Sequence, residues 1–310
     1  MMKSQDIHID LAQIDSYGTL ILLFDKVDTF GEQDYVRLYL DFTGKGLFVH
    51  SDHLLAIVAM VFYLRRRGAT VDIEVKGECD YASRVNFFQL LGLPYEENFK
   101  RKGNVGRFIE LSKFTNDTTY PLQDHLTMLL HQLPIAIEVK QLMFYCLGEI
   151  MDNVLVHSCR DHGWVCAQFY PNRQEIRLMI CDIGVGVLDA LRNGERDDYR
   201  NIDEIEALSL CVQRGVTNGR GLGFGLYATS RFIQLNKGEM LLYSGHHYLE
   251  IKGNQSIVNE GSYWPGTIVA MRIRTDIPVD YQDIMPAHHT LPDDYQFFID
   301  KFFGENNELW

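Results

Sequence analysis

No stretch of this chain is both long and apolar enough to span a bilayer. The longest apolar run, residues 54–64, is too short and stops at three consecutive arginines, Arg65, Arg66 and Arg67. The start of the chain lacks an apolar signal-peptide core, so a soluble protein is expected. Positive charge is scarce: 29 Lys and Arg against 42 Asp and Glu leave a net charge of -13, which argues against nucleic acid or an anionic membrane as partner. The one basic cluster, Lys100, Arg101, Lys102 and Arg107, reads as a solvated linker. The 6 cysteines show no C-x-x-C spacing and several sit in apolar runs, as reduced core thiols of a cytoplasmic protein do. No internal repeat or low-complexity segment is visible.

What is present is an alternation of strand and helix signals along 310 residues, enough for two domains. The order predicts an α/β fold in three parts: an α/β domain over 1–106, a second over 107–278, and a tail over 279–310 with a short amphipathic helix at 295–303. In the first part, residues 19–24, 36–42 and 71–75 read as strands. Ser51 and Asp52 read as the N-cap of a helix ending at the arginines, and 81–91 as a second helix. This β-β-α-β-α order predicts a small sheet with helices packed on it. In the second part, a long helix over 136–157 precedes strands at 164–170 and 176–181. A polar stretch to Arg220, a helix ending at Leu235, and strands at 240–244 and 267–273 follow.

Four short segments carry candidate chemistry. On the long helix, Met143, Leu147, Ile150 and Val154 make an apolar stripe, while Glu149, Asn153 and His157 recur at i, i+4 and i+8 on its flank. An amide oxygen suits magnesium, a hard ion that takes few protein ligands, and a carboxylate one turn away is placed to polarise a water or hydroxyl. Asp182 closes an apolar strand and is followed by Gly184 and Gly186; a carboxylate there accepts from an amino group of a base, and an ordinary strand-end turn is the other reading. The glycine string Gly219, Arg220, Gly221, Leu222, Gly223, Phe224, Gly225 runs into a helix, whose N-terminal amides suit phosphate oxygens. It lacks the Lys-Ser/Thr ending of a P-loop, and no strand leads directly into it, so a Walker or Rossmann reading fails. Gly266 and Thr267 close the set. His246, His247, His288 and His289 pair up along the chain, but adjacent histidines point apart on a strand and no third ligand is apparent.

In order and spacing these segments resemble the N box, G1 box, G2 box and closing Gly-Thr of the GHKL ATPases, the superfamily of gyrase B, MutL and histidine-kinase catalytic domains. The resemblance covers about residues 130–275. It implies a Bergerat-type α/β sandwich with a mixed sheet backed by helices, and ATP with Mg²⁺ held between the long helix and a lid over 187–220. By the same resemblance Glu149 is the general base, Asn153 the Mg²⁺ ligand and Asp182 the adenine reader. Gly184 and Gly186 shape the base pocket, Gly221, Gly223 and Gly225 cradle phosphates within the string Gly219 to Gly225, and Thr267 supports adenine. His157 and Arg220 are further candidates for phosphate contact. The first hundred residues resemble, more faintly, STAS domains, with His50 where that family has an aspartate and Ser51 at its phosphorylatable position.

The expectation is an ATPase acting as a conformational or assembly switch in signalling or stress response, with a protein partner or a second copy of the chain. Two alternatives stay open: a serine/threonine protein kinase of the anti-sigma-factor type, and a module that binds ATP without hydrolysing it. A histidine kinase is set aside. The nearest match to an acceptor box starts at His131, only 18 residues before Glu149, with no room for the usual helical hairpin.

Overall fold

The computed structural model describes residues 4–284 apart from 15, 26–29, 31, 102–106, 134 and 220–222. The expected amphipathic segment at 295–303 and the pair His288 and His289 lie outside the described residues, as does Lys102 of the basic cluster.

The first hundred residues alternate strand and helix: β1 (Ser4–Asp10), α1 (Tyr17–Phe24), β2 (Tyr35–Asp41), α2 (Ser51–Arg66) and β3 (Thr70–Lys76), then two short helices, α3 (Asp80–Arg84) and α4 (Phe87–Leu91). The three strands form a parallel sheet in the order β1-β2-β3, with Ile7, Leu38 and Ile73 in one row. Val36, Leu38 and Leu40 are buried and alternate with partly exposed Arg37, Tyr39 and Asp41, so among the described residues one face of this sheet is the more fully covered.

Three expectations are corrected here. Residues 19–24 are helical, not a strand. A continuous apolar run does not distinguish the two, and Ser16 and Thr19 form a capping box that starts a helix. The cap position of α2 is His50, which places Ser51 and Asp52 inside the first turn, both buried. The helix expected over 81–91 is broken in two at Val85 and Asn86, the latter left-handed at φ 67°.

The second half supplies β4 (Phe108–Thr115), α5 (Thr119–Gln132), α6 (Ile137–His157), β5 (His162–Tyr170), β6 (Glu175–Cys181), α7 (Gly186–Arg192), α8 (Glu204–Cys211), α9 (Gly225–Leu235), β7 (Glu239–Lys252) and β8 (Gln255–Arg274). Its sheet runs β4-β5-β6-β8-β7, and every neighbouring pair is antiparallel rather than mixed. Tight hairpins join β5 to β6 and β7 to β8. The helical pair α5–α6 returns the chain between β4 and β5, so no parallel crossover arises. Strands β7 and β8 run on well past the expected ends as a long two-stranded arm. The polar stretch expected as a lid over 187–220 holds most of α7 and all of α8, the latter started by a capping box of Asp203 and Glu206.

The layers explain the composition of α2. One core lies between the five-stranded sheet and helices α5, α6 and α9. The other holds α1 and α2 between the parallel sheet and the opposite face of the five-stranded sheet, through Trp164, Cys166, Met179, Cys181, Tyr243 and Trp264. A helix pressed by sheets on both sides must be apolar all round. From Leu54 to Val61 every residue of α2 is buried.

That second core also contains charge. Asp52 at the start of α2 is fully buried, and Arg177 of β6 lies 3.8 Å away. Burial works to raise the Asp52 carboxyl, yet the charge of Arg177 and the main-chain N–H of His53, which donates to it at 3.0 Å, hold it below its ordinary value. His50, bonded to the Tyr170 hydroxyl at 3.1 Å, is pushed down to about 3 by burial and by Arg177, and so stays neutral.

Candidate functional site

Helix α6 is the floor of the site. Met143, Leu147, Ile150 and Val154 are buried against the sheet, leaving Glu149, Asn153 and His157 half-buried along the flank. All three face a cavity of about 360 Å³, lined also by Asp182, Gly186, Gly223, Phe224, Gly225 and Thr267. That volume falls within the roughly 300–1,000 Å³ usual for small-molecule sites. Residues from four separate stretches of sequence thus meet at one opening.

Burial, reinforced by Asp152, raises the Glu149 carboxyl to about 6, while a hydrogen bond with Tyr145 works the other way. A base of that strength is ionised at neutral pH and still basic enough to accept a proton. Gly225, the first residue of α9, stands against the Glu149 side chain. A methyl group there would collide with the Glu149 carboxylate, so the absence of a side chain lets the carboxylate sit against the helix N-terminus. The positive end of α9 and the main chain of Gly223 to Gly225 therefore share one wall with the general-base candidate.

Asp182 is 1 % exposed and its carboxyl is raised to about 7, because burial outweighs two main-chain hydrogen bonds and the charge of Arg160. The two carboxylate oxygens are held separately: Gly184 N–H donates to one at 2.6 Å, and Thr267 N–H to the other at 3.2 Å. Gly266 must be glycine for this, since a Cβ would overlap the Asp182 carboxylate and main-chain oxygens. The clamp fixes the carboxylate at the cavity wall, where it can accept a further hydrogen bond from a ligand amino group.

Not every candidate reaches the cavity. Gly184 sits behind Asp182 against Ser158, and Gly219 packs on Glu195. Arg220, Gly221 and Leu222 lie outside the described residues. His247 is bonded to Glu204 at 2.7 Å and His246 lies against the Tyr263 ring, so neither is turned toward the cavity. Among the described residues no three His, Cys, Asp or Glu side chains are grouped to hold a metal. The Asn153 amide on the cavity wall fits Mg²⁺ in another way, as the single protein oxygen of an ion otherwise held by phosphates and water.

Several residues of the site carried no signal in the sequence. Asn218 joins its side-chain amide to His157 Nδ1 at 2.9 Å and its carbonyl to Glu195 N–H at 2.7 Å, tying the end of α6 to the segment over it. Ser244 Oγ accepts from Val187 N–H at 2.9 Å and steadies the start of α7. Trp264 donates its indole N–H to the Asp182 carbonyl at 3.1 Å. Only Tyr145 was within reach of the pattern, because it continues the i, i+4 series of Glu149, Asn153 and His157 backward by one step. No protein-family model matches the chain, and no curated protein or solved structure matches it either.

Proposed function

We propose that this cavity binds Mg-ATP in the manner of the GHKL ATPases and that the chain hydrolyses it slowly as a conformational or assembly switch. The observation carrying the proposal is the convergence of Glu149, Asn153, Asp182, Gly223 to Gly225 and Thr267 on one cavity of suitable size. Asp182 accepts from the adenine amino group, and the main chain at the start of α9 receives phosphate oxygens. Bound at Asn153, Mg²⁺ would offset charge on the phosphates. Glu149 takes a proton from water as the water oxygen bonds to the terminal phosphorus and the bond to ADP breaks, leaving ADP and phosphate. The STAS-like reading of the first hundred residues and the Bergerat reading of the rest belong to this same proposal. Their support is the helix α2 after β2 in the former and the α6–cavity–sheet arrangement in the latter.

The kinase reading loses Ser51 as an acceptor, since its side chain is buried at 1 % exposure. Incubation with γ-labelled ATP and Mg²⁺ tests the proposal. Release of labelled phosphate by the wild-type chain, lost in Glu149→Ala, is expected. Acid-stable label on protein would favour the kinase alternative, and no binding of ATP at millimolar concentration would sink the nucleotide reading altogether.

A further inference from the structure

Strand β8 shows its two faces to different neighbours. Thr267 and Val269 line the cavity, while Trp264, Ile268 and Ala270 belong to the core shared with α1 and α2. Trp264 is wholly buried at this crossing. Its ring lies 4.9 Å from Phe24 of α1 and 5.9 Å from Tyr63 of α2, centre to centre, and its N–H holds the Asp182 carbonyl. One turn beyond Tyr63, Arg66 of α2 donates to the carbonyl of Ile183, the residue after Asp182. The main chain that carries the base-reading carboxylate is therefore held from behind at two successive carbonyls, that of Asp182 by Trp264, which packs on α1 and α2, and that of Ile183 by Arg66 of α2 itself. No residue of α1 or α2 lines the cavity.

We propose that Trp264 is a positioning residue through which occupancy of the base pocket is transmitted to α1 and α2. This rests on the nucleotide reading given above and adds the route of regulation. A ligand amino group drawn onto Asp182 loads a strand end whose opposite side is the Trp264–Phe24–Tyr63 ring cluster. Any shift there is felt by helices packed at interior density, which cannot absorb it locally. The coupling is reciprocal: whatever displaces α1 or α2 changes nucleotide affinity by the same factor that nucleotide changes its binding.

Hydrogen exchange of the full chain with and without saturating ATP and Mg²⁺ tests this, in wild type, Trp264→Phe and Phe24→Leu. Trp264→Phe keeps a ring against Phe24 and removes the donor to Asp182; Phe24→Leu loosens the ring cluster without touching the cavity. Wild type is expected to gain protection at 182–187 and also in α1 and α2. Trp264→Phe should bind ATP about two- to ten-fold more weakly, the size of one hydrogen bond. At saturation it should keep protection at 182–187 and lose the ATP-dependent change in the two helices. Phe24→Leu should lose the same distant change. A merely structural role would alter exchange equally with and without ATP. Protection of wild type confined to residues beyond 107, or an unaltered response in Trp264→Phe, overturns the coupling and leaves the ATP site standing. No ATP binding by wild type overturns both.

Discussion

Asp182→Asn separates the cost of the site from its use. The wild-type carboxyl ionises near pH 7 in the folded chain, against 3.8 when unperturbed, because it is buried. Holding it ionised in the fold costs about 4 kcal/mol, present in full above pH 7 and absent below pH 4. The sign follows from proton counting: between those limits the folded state binds the extra proton, so stability falls as pH rises. Asparagine removes this slope. It also places an N–H₂ group where one of two main-chain donors, Gly184 or Thr267, needs an acceptor, at a cost of about 1–3 kcal/mol at every pH. Without nucleotide, the variant should be less stable than wild type by about 1–3 kcal/mol at pH 4 and more stable by a similar amount at pH 8. Urea denaturation at the two pH values reads the difference, and groups common to both proteins, Glu149 among them, cancel. At pH 8 ATP affinity should drop about 10- to 100-fold, since a charge-assisted hydrogen bond is lost. A stability difference that stays constant from pH 4 to pH 8 would refute the burial argument.

Turnover should rise with pH through about 6 and then level, because Glu149 acts only when ionised. Glu149→Gln should bind ATP normally and release phosphate at least about 100-fold more slowly in a single-turnover assay. Gly225→Ala should lower turnover by about the same factor by displacing the Glu149 carboxylate, and a crystal structure of the variant would show that carboxylate moved. Asn153→Ala should make phosphate release insensitive to added Mg²⁺, measured by titration of the metal. Arg177→Met should destabilise the fold by about 3–5 kcal/mol by leaving Asp52 buried without its counter-charge, and adding Asp52→Leu should restore most of the loss in chemical denaturation.

Periodicity showed the long helix and its two stripes because α6 is exposed to the cavity on one flank and buried on the other, which is the condition under which a 3.6-residue pattern survives. It misled at residues 19–24, where the outward position is itself apolar, Leu22 being 58 % exposed, so no polar stripe marks the helix and the deciding signal was the short capping box at Ser16. The alternation of β2 was legible because its two faces differ, Val36, Leu38 and Leu40 being buried while Arg37, Tyr39 and Asp41 are only partly so. The candidate residues Glu149, Asn153 and Asp182 stood out through spacing and flanking glycines. Trp264, Asn218 and Ser244 act through contacts 82, 61 and 57 residues away in sequence, and nothing local marks such a partner. The antiparallel order of the larger sheet was likewise invisible, since strand direction depends on how the intervening helices turn the chain.

A helix clasped by two sheets has a history during synthesis. By the time β3 has been made, α2 can cover one side of itself with the parallel sheet. Its other side waits for β5 and β6, and Cys181 follows Arg66 by 115 residues. At ribosomal speeds of about 5–20 residues per second that is a delay of roughly 6–23 s. Throughout it the flank that carries Phe62 and Tyr63, whose rings meet Trp164 and Trp264 in the finished fold, has no final neighbour. A nascent chain stalled in that interval presents a sticky surface to whatever binds unfinished proteins, so the same contact that joins the two halves of the mature molecule also sets the moment of greatest hazard in its making.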